Sequence, residues 1–155
     1  MSYIPQIQQD GRLQQASWQA ALEHAIEAIR EHAGTAVGIV VAPREPMKTV
    51  TSSPGWHLKS LRTPHVVLYP GVPGYEDDFL IRADKNPNTR GAQDMGLPAP
   101  DYGSATGRPW HRRLTRGPSK WWYAIGVNLV EAFGAETVAR WGTQLDCLIV
   151  QTSNI

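Results

Sequence analysis

The sequence predicts an α/β fold with a mostly parallel sheet and long irregular loops, on the basis of two stretches of the chain. Residues 36–41 form a continuous apolar, β-branched run after a helical pattern, which is typical of a strand buried on both faces of a parallel sheet. Further along, residues 121–125, a helical pattern and residues 145–150 follow one another with short links. This order predicts a βαβ unit with a parallel, right-handed crossover.

Length, charge and cysteine content limit the classes of protein to consider. The 155 residues fit one domain that buries about two-thirds of its unfolded surface. A formal net charge of +1 gives no general electrostatic reason to expect nucleic acid or an anionic membrane as partner. Cys147 is the single cysteine, which excludes a disulfide framework and any Cys-x-x-Cys metal or cluster site. Without an apolar span or signal-peptide pattern, we expect a cytoplasmic protein with no direct membrane insertion.

The first part of the chain predicts a lead-in followed by the domain itself. We expect residues 1–16 to be extended, with a turn at the Asp-Gly pair of positions 10 and 11, and residues 17–155 to form a single α/β domain. Ser17 predicts an N-cap, because apolar residues at helical spacing follow it as far as about Ala33. His24 and His32 lie on nearly the same face of this helix, but two turns are too wide for a shared metal ion.

Candidates for cofactor binding follow the predicted strands, because ligands of open α/β sheets sit at the carboxyl ends of the strands. Arg44 follows the first strand, Gly71 follows a strand at residues 65–69, and Gly126 follows the strand at residues 121–125. No Gly-x-Gly-x-x-Gly loop supports dinucleotide binding at these positions. We expect no catalytic residue and no metal ligand in this chain.

Three further stretches connect or complete these strands. Residues 45–62 predict a broken helix and residues 98–120 a long irregular connection, since both are interrupted by proline and glycine. Asn128 predicts the N-cap of one helix that extends past Gly134, which is a local weakness, to about Trp141.

Residues 79–97 predict a strand, a turn and the start of a helix. Residues 79–81 are a short apolar run, and Asn86-Pro87-Asn88 is a strong turn signal. The charged and polar residues at this corner are Arg82, Asp84, Lys85, Asn86 and Arg90. Two interpretations are open: the corner docks a phosphate or a partner's carboxylate, or its charges pair with each other in solvent.

Two charged clusters lie on either side of this corner. Residues 76–78 are three consecutive acids, and we interpret them as a solvated loop because contiguous side chains do not easily converge on one cation. Between residues 108 and 120 basic side chains surround Trp110, with Arg112 and Arg113 at the centre. Such a cluster can bind nucleic acid, but on a nearly neutral chain a solvated face or a protein contact is the better interpretation. We expect no nucleic-acid binding.

Five segments, in order along nearly the whole chain, resemble one family. The stretches DGRLQQASWQAAL (residues 10–22) and VGIVVAPR (residues 37–44) resemble the start of the molybdopterin oxidoreductase domain. The stretch DDFLIRADKNPNTRGA (residues 77–92) narrows the resemblance to the large peripheral-arm subunit of bacterial NADH-quinone oxidoreductase, complex I. The stretches WYAIGVNLVEAFG (residues 122–134) and LDCLIVQ (residues 145–151) are similar to its later strand-helix-strand unit.

The resemblance implies a partial Rossmann-like, three-layer domain, truncated relative to the family's domain. The family's cluster-binding modules precede this region, and their cysteines are absent here. It therefore implies a non-catalytic scaffold domain of an electron-transfer subunit, with no iron–sulfur cluster or other cofactor of its own. Its partners would be other subunits or modules of the oxidoreductase, contacted through the corner and the basic cluster, at Arg82, Asp84, Asn86, Arg90, Arg112 and Arg113.

Two alternatives remain open at this point. The first is a pterin-cofactor oxidoreductase of formate-dehydrogenase type, which would hold molybdopterin and usually needs a metal-ligating side chain. Cys147 is a poor candidate for that ligand, because a cysteine within an apolar strand is better interpreted as a core residue. The second is a stand-alone module that binds a nucleotide or a protein at the strand ends.

Overall fold

The computed structural model describes residues 4–32, 37–42, 63, 65–69, 71, 74–94, 96–97 and 120–152. The strands are β1 (Gln6–Gln9), β2 (Arg12–Gln15), β3 (Val37–Val41), β4 (Val66–Leu68), β5 (Trp121–Ile125) and β6 (Cys147–Gln151). The helices are α1 (Trp18–His32), α2 (Thr89–Asp94), α3 (Leu129–Phe133) and α4 (Ala135–Gly142).

The central sheet has the order β4-β3-β5-β6, and every neighbouring pair in it is parallel. Ile39 of β3 lies opposite Val66 on one side and opposite Tyr123 on the other, and Tyr123 lies opposite Ile149 of β6. The chain therefore places β4 on one side of β3 and then crosses over to place β5 on the other side. The predicted α/β class and the mostly parallel sheet are confirmed.

The core consists of two apolar clusters, one on each face of this sheet. Residues of opposite parity supply them, because successive side chains of a strand point to opposite faces. On the first face lie Val37, Ile39, Val41, Val66, Leu68, Ala92, Leu97, Trp121 and Ile125. On the second lie Val40, Ala42, Val67, Trp122, Ala124, Val127, Leu129 and Trp141. All five residues of β3 are buried, as the continuous apolar run predicts.

Helical residues pack against both clusters. Ala28 and Ile29 of α1 contact the first-face cluster, and Trp141 of α4 belongs to the second-face cluster. The predicted single helix after Asn128 is instead two helices, because Gly134 has a φ of 81°, which interrupts the helical backbone. Strand β6 begins at Cys147, two residues later than the apolar run suggests, and the N–H of Asp146 bonds the Lys120 carbonyl at 2.8 Å.

The N-terminal lead-in forms a hairpin. Strands β1 and β2 pair antiparallel, and both turn residues have positive φ, 51° for Asp10 and 75° for Gly11. A two-residue turn of this kind suits the twist of a hairpin, so the Asp-Gly signal is confirmed. The Ser17 cap is also confirmed, since its Oγ accepts the N–H of Ala20 at 3.1 Å.

Other predictions fall outside the described residues. These are the helix end at Ala33 and Gly34, the broken helix over residues 45–62 and most of the irregular connection after residue 97. Within the described ranges, no helix is long and apolar enough to cross a membrane.

Candidate functional site

The carboxyl edge of the sheet is the first candidate site. Gly71 and Gly126 follow β4 and β5 at this edge, with φ values of 75° and 67°, a region that glycine adopts without strain. Backbone hydrogen bonds between neighbouring strands continue past the strand ends. The Ala42 N–H donates to the Ile125 carbonyl at 2.9 Å, and the Gly126 N–H donates to the Gln151 carbonyl at 2.7 Å. Parallel topology thus brings Gly71 and Gly126 to one edge, while Arg44 lies outside the described residues.

The second face of the sheet carries a chain of aromatic rings. Tyr69 follows β4, and its ring centroid lies 5.5 Å from that of Phe133. Phe133 and Trp122 each lie 5.0 Å from Trp141. These tilted and edge-on contacts are favourable aromatic geometries. The helices therefore cover this face through aromatic packing.

Polar groups near the carboxyl edge bond to each other. The Asn128 side chain accepts the Glu131 N–H at 3.1 Å as the cap of α3, and the Tyr123 hydroxyl donates to the Gln151 side-chain oxygen. Burial raises the pKa of the Tyr123 hydroxyl above its usual value, because a low-polarity surrounding disfavours the charged phenolate. Gly71 and Gly126 remain the candidates for a ligand that approaches the backbone at this edge.

The second candidate site is the loop of residues 74–85, called here the acidic loop. Two backbone bonds close it, from the Gly74 N–H to the Ala83 carbonyl and from the Asp77 N–H to the Ile81 carbonyl, both 2.9 Å. Inside, one carboxylate oxygen of Asp77 accepts the N–H groups of Phe79, Leu80 and Ile81 at 3.1, 2.7 and 2.7 Å. The predicted strand at residues 79–81 is therefore wrong, because these hydrogen bonds to the Asp77 carboxylate fold the backbone into a turn.

Lys85 links the two ends of the acidic loop, called here its base, through hydrogen bonds. Its Nζ donates to the Tyr75 carbonyl at 2.8 Å and also to the Arg82 carbonyl. The lysine side chain crosses directly over Gly74, where a Cβ would lie 2.3 Å from Lys85 Cε. The sequence suggested a charge available for docking, whereas the structure gives Lys85 a positioning role.

The remaining predicted contact residues hold the corner or pair within it. One Asp84 oxygen accepts both the backbone N–H and the side-chain Nδ2 of Asn86, each at 2.9 Å. On α2, which confirms the predicted helix start, Arg90 Nε lies 3.2 Å from Asp94 Oδ1 in an exposed pair. The Arg82 side chain is exposed, and Arg112 and Arg113 lie outside the described residues.

The tip of the acidic loop exposes large apolar side chains. Phe79 is 94% exposed and Leu80 is 78% exposed, although the backbone that carries them is tied to Asp77. Their neighbours Glu76 and Asp78 are exposed as well. The loop therefore presents an apolar tip that two exposed acidic residues precede in the chain.

A second exposed apolar surface lies on α1. Trp18, Leu22 and Ile26 are 61%, 55% and 45% exposed, and their spacing of four residues places them in one row along the helix. This row, called here the α1 stripe, borders the side of the helix that packs on the sheet. The hydrophobic pattern that predicted the helix could not separate the stripe from the packed side.

Ionisable groups show shifts that follow from their contacts. The N–H groups of Ile81 and Leu80 lower the pKa of Asp77 below its ordinary value of 3.8, because they favour the charged carboxylate. Burial raises the pKa of the Cys147 thiol, and Cys147 packs against the first-face cluster, as expected for a core residue. In the part of the chain that the structure describes, no three His, Cys, Asp or Glu residues converge on a metal site.

Replacement of Asp77 by alanine is expected to loosen the loop tip, because three N–H groups lose their shared acceptor. Backbone ¹⁵N–¹H NOE values of residues 79–81 should fall toward those of a mobile loop. The same fall is expected in the unmodified chain as the pH drops below 3.8 through the lowered pKa of Asp77, because a carboxyl with a depressed pKa stabilises its contacts only while ionised.

Asp78→Ala is the matched control for Asp77→Ala. Asp78 is exposed and accepts no bond from the tip, so NOE values of residues 79–81 should stay unchanged. Equal NOE values in Asp77→Ala and the unmodified chain would contradict the role of the carboxylate.

Comparisons of the chain with models of protein families, with curated protein sequences and with solved structures find no match.

Proposed function

We propose that the chain is a non-catalytic scaffold domain of an electron-transfer subunit of the NADH-quinone oxidoreductase (complex I) type. It is a partial Rossmann-like, three-layer domain in this proposal, cytoplasmic and without a cofactor of its own. The observation that carries the proposal is the α1 stripe, a row of large apolar side chains left in solvent beside a well-formed core. Apolar surface of this kind marks an interface.

Covering the α1 stripe contributes favourably to docking. Fully burying one such side chain contributes about 1.5–3 kcal/mol, so covering the exposed halves of Trp18, Leu22 and Ile26 contributes on the order of 2–4 kcal/mol. The helix that carries them is already formed, and its residues Ala28 and Ile29 pack on the sheet. Little further ordering of the backbone is therefore needed on binding.

The position of the stripe favours a module that precedes this region in the family. Residues 10–22, the first segment of the resemblance, contain the hairpin turn, the Ser17 cap and the start of α1. In the complex I subunit the cluster-bearing modules come directly before this segment. A module joined there would lie next to the α1 stripe.

The predicted contact residues fit a scaffold better than a reaction centre. Asp84 bonds Asn86, and Arg90 pairs with Asp94, so these side chains maintain the shape of the corner. Surface pairs of this kind contribute little to stability. In the proposed scaffold, these pairs keep the surface that meets a neighbouring module in one geometry.

A stand-alone module that binds a nucleotide is the second candidate function. Gly71 and Gly126 favour it, because positive φ and the lack of a side chain let a ligand approach the backbone at the carboxyl edge. Saturable nucleotide binding that Gly126→Ala abolishes would support this candidate over the scaffold.

Co-purification with the cluster-bearing modules of an NADH-quinone oxidoreductase large subunit tests the scaffold. The full chain should bind them, and Leu22→Ser with Ile26→Ser should weaken binding at least about tenfold. Glu23→Ser, at an exposed polar position next to the stripe, is the control and should bind normally. Absence of binding by the unmodified chain would reject the proposal, and near-stoichiometric molybdenum or tungsten in the purified protein would favour the pterin enzyme instead.

A further inference from the structure

We propose that the acidic loop is a second docking element, which places Phe79 and Leu80 in an apolar pocket with a basic rim on a partner protein. This docking role goes beyond the scaffold function and does not depend on which complex the chain joins. It uses a different surface from the α1 stripe. Four features of residues 74–85 support it.

The first feature is the fixed backbone of the loop tip. Three N–H groups converge on one Asp77 oxygen at 3.1, 2.7 and 2.7 Å, and the Asp77 N–H bonds back to the Ile81 carbonyl. A loop that is ordered before it binds loses less conformational entropy on binding than a mobile one. The ordered backbone of the tip therefore lowers the entropic cost of binding, which favours affinity in a small interface.

The second feature is the clamp at the base of the loop. Lys85 spans from the Tyr75 carbonyl to the Arg82 carbonyl, and the missing side chain of Gly74 leaves room for it. With the bond between Gly74 and Ala83, this clamp holds both ends of the loop together. The tip is thus carried on a fixed base.

The third feature is the exposure of the tip itself. Phe79 leaves 94% of its surface in water and Leu80 leaves 78%. An aromatic ring beside an aliphatic side chain, both carried on one hydrogen-bonded turn, is the kind of anchor that fills a pocket at the centre of an interface. In the described part of the chain, neither side chain belongs to either apolar cluster.

The fourth feature, charge, selects the kind of partner. Glu76 and Asp78 precede the apolar tip in the chain, are exposed, and form no ion pair with another described residue. Carboxylates so near the tip in the chain are repelled by an anionic lipid surface and attracted by lysine or arginine. A protein pocket lined by apolar side chains and rimmed by basic ones can bury the apolar tip and pair with the two carboxylates.

Site-specific photocrosslinking in the full chain identifies what covers the tip. With benzoylphenylalanine in place of Phe79, the expected product in cells is one protein, crosslinked through an apolar surface that has lysine or arginine at its edge. The same probe in place of Trp18 reports on the α1 stripe, so failure of the scaffold function is distinguishable from failure of this docking role. Products that consist of lipid or of a second copy of the chain, or no product at all, would overturn the proposal.

Binding of the purified crosslinked protein to the full chain then tests the chemistry. Phe79→Ser with Leu80→Ser should weaken binding at least about tenfold, because hot-spot side chains carry most of an interface's affinity. Glu76→Gln with Asp78→Asn should weaken it several-fold and reduce its dependence on salt. Unchanged affinity in the first variant, or unchanged salt dependence in the second, would overturn the proposal, and circular dichroism should show native folding in both.

Discussion

Replacement of Trp121 by alanine is expected to lower the free energy of unfolding by about 3–5 kcal/mol. The side chain is completely buried in the first-face cluster, and its strand lies between β3 and β6 in the sheet. Removing the indole leaves a cavity that rigid strands on both sides cannot fill. Because domains of this size are stable by only about 5–15 kcal/mol, urea unfolding followed by far-ultraviolet circular dichroism should show a large fall in the midpoint.

Trp18→Ala is the matched control for this prediction. The same side chain is removed from the first residue of α1, where it is 61% exposed. Exposed substitutions away from special features usually change stability by less than about 0.5 kcal/mol. Similar losses in the two variants would contradict the burial of Trp121 in the first-face cluster.

The buried strands were the most predictable part of the fold. Residues 37–41 and 121–125 are continuous apolar runs, and a strand covered on both faces needs such a run because neither side of it meets water. The order of the strands was not predictable in the same way. It depends on contacts between segments distant along the chain, such as Val37 with Trp121, and no local pattern encodes them.

The error at residues 79–81 has a specific physical cause. Phe, Leu and Ile favour strands where they pack against a neighbour, but one carboxylate that accepts three backbone N–H groups stabilises a turn instead. The available signal was Asp77, two to four residues before the bonded N–H groups, a spacing at which aspartate commonly bonds its own backbone.

The candidate sites were predictable to different degrees. Parallel strands place their carboxyl ends at one edge, so the sequence alone assigns Gly71 and Gly126 to that edge. The clamp by Lys85 and the exposure of Phe79 depend on how the acidic loop closes on itself. The composition of the segment therefore indicated a charged corner but not an apolar tip.

Thr63 joins the start of β3 to the segment that leads into β4, and no sequence pattern pointed to it. Its side chain is completely buried, donates to the Val37 carbonyl and accepts the His65 N–H at 3.1 Å. Next to this junction, the Ile39 N–H bonds the His65 carbonyl at 2.8 Å. One hydroxyl thus satisfies two backbone groups where the parallel pairing of β3 with β4 begins.

Thr63→Val is expected to lower the free energy of unfolding by about 1–3 kcal/mol, because it keeps the shape of the side chain but leaves the Val37 carbonyl and the His65 N–H without their partner. Urea unfolding gives the magnitude, and hydrogen exchange at the His65 amide gives the cause. Thr63→Ser is the control: it keeps the hydroxyl, so its loss should be smaller and the His65 amide should stay protected. Equal protection of that amide in both variants would show that packing, and not the hydroxyl, holds the two strands together.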